Sequence, residues 1–236
     1  MTLPGVRALI GELDAAGDLP AAFGPLLDAI PREQFIPDRA AVDRVPIDRG
    51  TDPQAWLAAV YSDRSIVTQF DDGRTPWPDV DDRPTSSASQ PSVVLGMLDA
   101  LQVTEGLDIL EIDTGTGYNA ALLRHLVGPT GSVTTIDIDP DVTGHAAARL
   151  TAAGFGDVDV LTQGGAISAA SGGEGRSFDR VIATMAVPLG RIPHAWVAQC
   201  RVGGQILTRS APTCAAARWS VSTSPNRATR PDMPCR

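Results

Sequence analysis

Asp113, Gly115, Gly117 and Asp137 are residues whose types and spacing could do chemistry together. The first three lie in ILEIDTGTGYNAALL, residues 109–123, where an apolar run passes through small residues into a helix-like segment. A turn of small residues between a strand and a helix lets backbone N–H groups approach the polar end of a ligand. An acid about 20 positions further on, closing the next strand, suits the hydroxyls of a ribose. Asp137 closes SVTTID in that way, so the pattern points to a nucleoside cofactor. A dinucleotide would require a third glycine at position 120, which is Ala120. The turn reads E-x-D-x-G-x-G-Y, with Glu111 and Thr114 inside it, and S-adenosylmethionine fits it better.

Positioning such residues takes strands that end side by side. From Pro91 onward the chain alternates PSVVLGMLDAL, LDILEI, YNAALLRHLV, SVTTIDI and PDVTGHAAARLTAAG, then VDVLT, FDRVIATMA, PHAWVAQC and GGQILT. Helical and strand periods alternate, which specifies an α/β fold: a doubly wound, Rossmann-like sheet with ligands outside the carboxyl ends of its strands. Ahead of it, LPGVRALIGELDAAG and PAAFGPLLDAI carry helical spacing, and TDPQAWLAAVYSDRSIVTQF reads as a short helix followed by a β-rich run. Residues 1–84 are therefore expected to form a helical N-terminal region with an acidic insertion loop, DDGRTPWPDVDDRPTSSAS, and residues 85–208 the cofactor-binding core.

The chain has 236 residues, 43% of them hydrophobic, enough for one sizeable core. A net charge of -9 argues against a nucleic-acid backbone or an anionic membrane as partner. All 19 basic residues are arginine. No apolar run is long enough to span a bilayer, and acids stand where a signal peptide would be apolar, so a cytoplasmic location is expected. Cys200, Cys214 and Cys235 form neither a disulfide framework nor a metal set, and no metal is expected.

AIPREQFIPD, TSSASQPSVVLGML, ILEIDTGTGYNAALL and FDRVIATMAVPLGRIPHAWVAQCRVGGQILT resemble, in order and spacing, the protein-L-isoaspartate O-methyltransferase family over about residues 25–208. The acidic insertion looks most like the actinobacterial branch associated with ribosomal peptide modification. The resemblance implies S-adenosylmethionine-dependent carboxyl O-methylation of an isoaspartyl or aspartyl residue in a protein or peptide. SASQP falls on the family's T-I-S-x-P motif, which makes Ser89 the residue beside the acceptor carboxylate and Ser87 and Gln90 substrate contacts. Ser86, Ser87 and Ser89 also read as caps for a helix beginning at Pro91, the first two mainly so.

Two positions depart from the family pattern. Asp113 replaces a glycine, adding bulk and negative charge to the cofactor turn. In VLTQGGA, Gln163, Gly164 and Gly165 stand where the family has G-D-G-A, with the Gln163 carbonyl able to replace the lost acceptor for adenine. The alternative reading is therefore a catalytically impaired protein that keeps the fold as a peptide-binding or vestigial domain. His125, His145 and His194 read as solvent-facing or capping residues, Trp56 and Trp196 as packing residues, and Trp77 as a candidate peptide contact. Residues 209–236 lose the α/β pattern and carry five arginines and one acid. A disordered tail and a truncated sheet edge are expected there, as a shifted reading frame after Thr208 would produce.

Overall fold

The computed structural model describes residues 3–164, 177–188, 191–211 and 218–223. The chain divides into two compact units, one of Met1–Gly96, Gly115–Leu122 and Gly144–Asp157, the other of Met97–Thr114, Leu123–Thr143 and Val158–Arg236.

The first unit opens with α1 (Pro4–Ala16), which has proline in its first turn and Gly17 at its end. At φ 76 Gly17 adopts the left-handed conformation that lets its N–H reach back to the Asp14 carbonyl. After α2 (Gly24–Ala29) the chain forms β1 (Arg39–Val42), β2 (Val45–Asp48), α3 (Pro53–Val60), β3 (Ile66–Phe70) and β4 (Pro84–Ala88). These strands make an antiparallel sheet in the order β2-β1-β3-β4. The expectation of a helical N-terminal region is thus corrected, because a four-stranded sheet accompanies the helices. Its first hairpin turns on Asp43 and Arg44, with φ 51 and 63, a two-residue turn whose twist matches that of the strands. α3 is capped by Asp52, whose carboxylate accepts from Ala55 N at 2.9 Å. Trp56 packs in the interior and donates to the Pro37 carbonyl, while the Arg49 guanidinium lies over its ring at 4.8 Å.

The remaining elements are α4 (Pro91–Leu101), β5 (Asp108–Ile112), α5 (Tyr118–Val127), β6 (Ser132–Asp137), α6 (Pro140–Ala152) and β7 (Asp159–Thr162). They are followed by β8 (Phe178–Pro188), α7 (His194–Gln199), β9 (Cys200–Ala211) and β10 (Arg218–Thr223). The second unit is built on a six-stranded sheet ordered β10-β9-β8-β5-β6-β7. β5 pairs in parallel with β6 and β8, β6 with β7, and β8 with β9. Its core joins Leu110, Ile112, Ile136, Phe178, Val181, Ala183, Trp196 and Ile206. The apolar runs of β5 and β8 are buried as central strands of a parallel sheet must be.

The expectation of a wholly disordered tail is also corrected. β9 continues to Ala211, and β10 pairs with it antiparallel from Arg218↔Ser210 to Thr223↔Gln205. The strand expected to be left uncovered therefore has a neighbour.

Candidate functional site

Parallel register brings three strand ends together in the second unit. Ile112 pairs with Ile136, and Asp137 pairs with Thr162. Asp113, Asp137 and Gln163 consequently follow one another across the carboxyl edge, beside the place where the chain order reverses from β6 and β7 to β8. The Gln163 N–H donates to the Asp137 carbonyl at 2.8 Å. Gly164 follows, and a Cβ placed on it would meet Ile138 Cδ1 at 3.9 Å. Gly165 lies outside the described residues.

The turn after β5 needs unusual backbone. Asp113, Gly115 and Gly117 all have positive φ, at 77, 52 and 84. For the two glycines this costs little, whereas for a residue with a Cβ it is strained. Asp113 is held there by backbone bonds: its N–H and that of Thr114 donate to the Ile136 carbonyl, and the Thr184 hydroxyl donates to the Asp113 carbonyl at 3.0 Å.

Asp113 follows β5 directly beside Asp137, which ends the neighbouring strand. Burial first, and then this acidic neighbour, push its carboxyl up to about 7. The burden that Asp113 brings thus falls on the acid expected to hold the ribose. Asp137 is itself 8% exposed, and its Oδ1 accepts from Asp139 N at 3.1 Å. Glu111 is fully buried and accepts from the Thr135 hydroxyl at 2.7 Å, and that hydroxyl lies 2.8 Å from the hydroxyl of Thr114. Glu111 and Thr114 therefore brace the strand ends from inside. Thr135 and Thr184 were missed by sequence reasoning, since a threonine in a strand reads first as a β-former.

Ile138 was missed as well. It is 76% exposed immediately after Asp137, a large aliphatic side chain at the edge where a ligand is expected. The apolar letter inside SVTTIDI reads as strand interior, and its exposure becomes visible only once the strand is seen to end at Asp137.

The serine motif belongs to the first unit. Ser86 and Ser87 lie on β4, paired with Gln69 and Val67, so the expectation that they cap α4 is corrected. Asp63 takes that part: its Oδ1 accepts from Ser92 N and its Oδ2 from the Gln90 side-chain amide, both at 2.8 Å. Ser89 is part-buried in the link between β4 and α4. A Cβ at Gly115 would come within 3.0 Å of the Ser87 carbonyl oxygen, so the glycine turn runs directly against the serine strand.

Arg32 holds this link in place. It is 1% exposed, and its two terminal nitrogens donate to the carbonyls of Val60, Ser62, Arg64, Ala88 and Ser89, the last at 2.9 Å. Burial lowers its pKa to about 10. In sequence the arginine of PREQF is only one letter of a resembling motif, because five carbonyls distant in sequence cannot be foreseen from it. Tyr118, at the start of α5, packs on Phe35 and points its hydroxyl at the Ile30 carbonyl, with burial raising its pKa to about 12.

His125, His145 and His194 are exposed, Trp196 is core, and Trp77 lies with the Arg39 guanidinium 6.0 Å from its ring. No group of metal-binding side chains forms among the described residues, and none of their helices is long and apolar enough to cross a membrane. Cys214 and Cys235 lie outside the described residues.

The chain is similar to known proteins of one family. A protein-L-isoaspartate O-methyltransferase of Ignicoccus hospitalis is 37% identical over 116 residues, 49% of this chain and 53% of its own length. One from Methanocella arvoryzae is 30% identical over 185 residues, 77% of this chain and 78% of its own. The chain spans about half the length of the first curated relatives that it matches. Among solved structures, a β-aspartate methyltransferase from Plasmodium falciparum in complex with S-adenosyl-L-homocysteine superposes with a TM-score of 0.69 at 10% identity. That match covers 93% of this chain and 90% of the other, and shows a shared fold. The sequence model of the protein-L-isoaspartate(D-aspartate) O-methyltransferases matches residues 47–212, and this chain belongs to that family.

Proposed function

We propose that the chain methylates the side-chain carboxylate of an isoaspartyl or aspartyl residue in a protein or peptide, using S-adenosylmethionine. The observation that carries this reading is the line of strand ends that sets Asp113, Asp137 and Gln163 side by side above a braced Glu111. These residues fit the cofactor: Asp137 offers a part-enclosed carboxylate to ribose hydroxyls, and Gln163 and Gly164 border the adenine. The exposed Ile138 gives the ring an apolar surface, and the turn through Gly115 and Gly117 leaves backbone N–H groups for the methionine end.

When bound, the cofactor supplies an electrophilic methyl group on sulfur. The acceptor carboxylate is already a competent nucleophile at neutral pH, so no strong base is required, and the protein's task is to align the reactants and exclude water. Ser89, whose carbonyl accepts from Arg32, would donate a hydrogen bond to one acceptor oxygen without adding charge, with Ser87 as a second contact. Gln90 contributes through Asp63, which fixes the start of α4.

Calorimetric titration with adenosylhomocysteine and a methyl-transfer assay on isoaspartyl and aspartyl peptides test the reading together. Ser89→Ala is expected to lower methyl transfer at least tenfold while adenosylhomocysteine affinity stays within about twofold. Binding without transfer to either peptide would support the impaired-enzyme reading instead, for which the strained Asp113 is the specific observation. No binding at all would overturn the cofactor assignment.

A further inference from the structure

β2 is an outer strand of the antiparallel sheet, and beside it, wholly within the first unit, lies a cleft of about 390 Å³. Small-ligand sites span roughly 300–1,000 Å³. The cleft is lined by Val45, Ile47 and Asp48 of β2, by Asp52 and Ala55 at the start of α3, and by Trp77 of the acidic loop. That loop is held in place: Val80 is buried, the Arg44 guanidinium donates to the Asp81 carbonyl at 2.9 Å, and the Thr75 hydroxyl donates to the Asp82 carboxylate at 2.7 Å. Trp77 has the Arg39 guanidinium 6.0 Å from its ring, and Arg39 Nε donates to Asp48 at 3.1 Å. The lining is thus mostly apolar and preformed, with Val45 60% exposed on it.

Its charge is not balanced. Asp48 is answered by Arg39, whereas Asp52 enters no ion pair among the described residues and accepts from Ala55 N through one oxygen. A carboxylate beside aromatic and aliphatic side chains suits a basic group next to an apolar one. Strand addition is not available, since Pro46 in the middle of β2 has no N–H and the Asp48 carbonyl already accepts from Thr51 N and Asp52 N. An occupant must therefore hold on by its side chains. The order β2-β1-β3-β4 sets the cleft three strand spacings from the strand of Ser86 and Ser87, about 14 Å at about 4.8 Å each. An extended chain rising about 3.3 Å per residue needs at least about four or five residues to cover that distance.

On the reading that the chain acts on a protein or peptide, we propose that this cleft docks the substrate away from the methylated carboxylate. It holds a proline or branched aliphatic residue against Val45, Ile47 and Trp77, with a lysine or arginine beside it facing Asp52. Isoaspartyl peptides of two lengths test this: a short one of about five residues centred on the acceptor, and longer ones placing Lys-Pro at least about six residues before or after it. By fluorescence anisotropy without cofactor, a longer peptide is expected to bind about tenfold tighter than the short one. Its KM for methyl transfer should fall in proportion with kcat unchanged, because a contact remote from the reacting atoms favours ground state and transition state alike. Trp77→Ala and Val45→Ser should each erase most of that advantage. Asp52→Asn, which keeps the cap on α3, should weaken the Lys-Pro peptide about threefold and leave its norleucine counterpart unaffected. Equal affinity for short and longer peptides in both directions, or an advantage that survives both Trp77→Ala and Val45→Ser, would overturn the docking site and leave the methylation reading standing. Tighter binding of a longer peptide that Trp77→Ala abolishes, with no methyl transfer to any peptide, would keep the docking site and remove the methylation reading. Self-association in sedimentation experiments that Trp77→Ala abolishes would assign the cleft to a second copy of the chain and overturn the proposal.

Discussion

The substitution that stands out in the chain, Asp113 for a glycine, changes folding as well as binding. Its carboxyl ionises near pH 7 in the folded chain, against an unperturbed value of 3.8. Between about pH 4 and about pH 7 the folded chain holds a proton that the unfolded chain has released. Stability from this group is thus fully present below the lower value and falls as pH rises through the window, by at most about 1.4 kcal/mol per unit. Partial exposure of Asp113 keeps the total below that limit. Urea denaturation at several pH values should show this decline in the wild type and a flatter profile in Asp113→Asn; equal slopes would mean that Asp113 ionises as an exposed acid does. Asp113→Gly also relieves a left-handed side-chain residue at φ 77 and should add about 1 kcal/mol at neutral pH. A second residue carries an independent prediction. If Ile138 lies against the adenine, Ile138→Ala removes some tens of Å² of apolar contact and should weaken adenosylhomocysteine about fivefold to tenfold without lowering the melting temperature, since the side chain is 76% exposed in the free protein. Unchanged affinity would place the ring elsewhere. None of this was legible in the letters alone: the acid at 113 could be seen to break a pattern, but its partner is a residue on a neighbouring parallel strand, and only register makes them meet.

Among the elements, those of the parallel sheet were the most readable. LDILEI and SVTTIDI are runs rich in β-branched and aliphatic residues entered after a glycine and left at an aspartate, and buried central strands are built in that way. The antiparallel sheet was harder. RAAV and VPID are four residues each, too short to show alternation, and they join through Asp-Arg rather than through a glycine turn. The serine link is a third case: a run of hydroxyls before a proline suggests a helix cap, yet three of them, Thr85, Ser86 and Ser87, are already committed to β4, and the cap comes from Asp63. That link depends on Arg32. Arg32→Met would leave five carbonyls short of a donor and should cost about 3–5 kcal/mol, enough to endanger folding. Arg32→Lys keeps the charge with fewer donors and is the informative variant. It should raise the KM for the acceptor peptide severalfold while adenosylhomocysteine affinity holds; equal loss of both would make Arg32 a general stability residue.

At the scale of the whole chain, residues 218–223 of the arginine-rich end form a strand. β10 pairs through six positions with β9, which is central to the order β10-β9-β8. At about 0.5–1.5 kcal/mol net for each hydrogen bond, removing it forfeits a few kcal/mol and exposes a new sheet edge. A chain ending at Ala211 is expected to melt at lower temperature and to self-associate in sedimentation experiments; a monomer with unchanged melting would show that β10 contributes nothing. The loss of periodicity after Thr208 was read from sequence as the end of structure, because a single added antiparallel strand needs no amphipathic repeat beyond its own length. Arg32 offers a further use of the same molecule. All 19 basic residues are arginine, and the Arg32 guanidinium is sealed from solvent with its two terminal nitrogens committed to carbonyls of residues 60, 62, 64, 88 and 89. Its N–H resonances should exchange slowly enough to stand apart from those of surface arginines, so nitrogen-detected NMR could follow the seating of the serine link in the unaltered protein, without a label, a variant or a turnover.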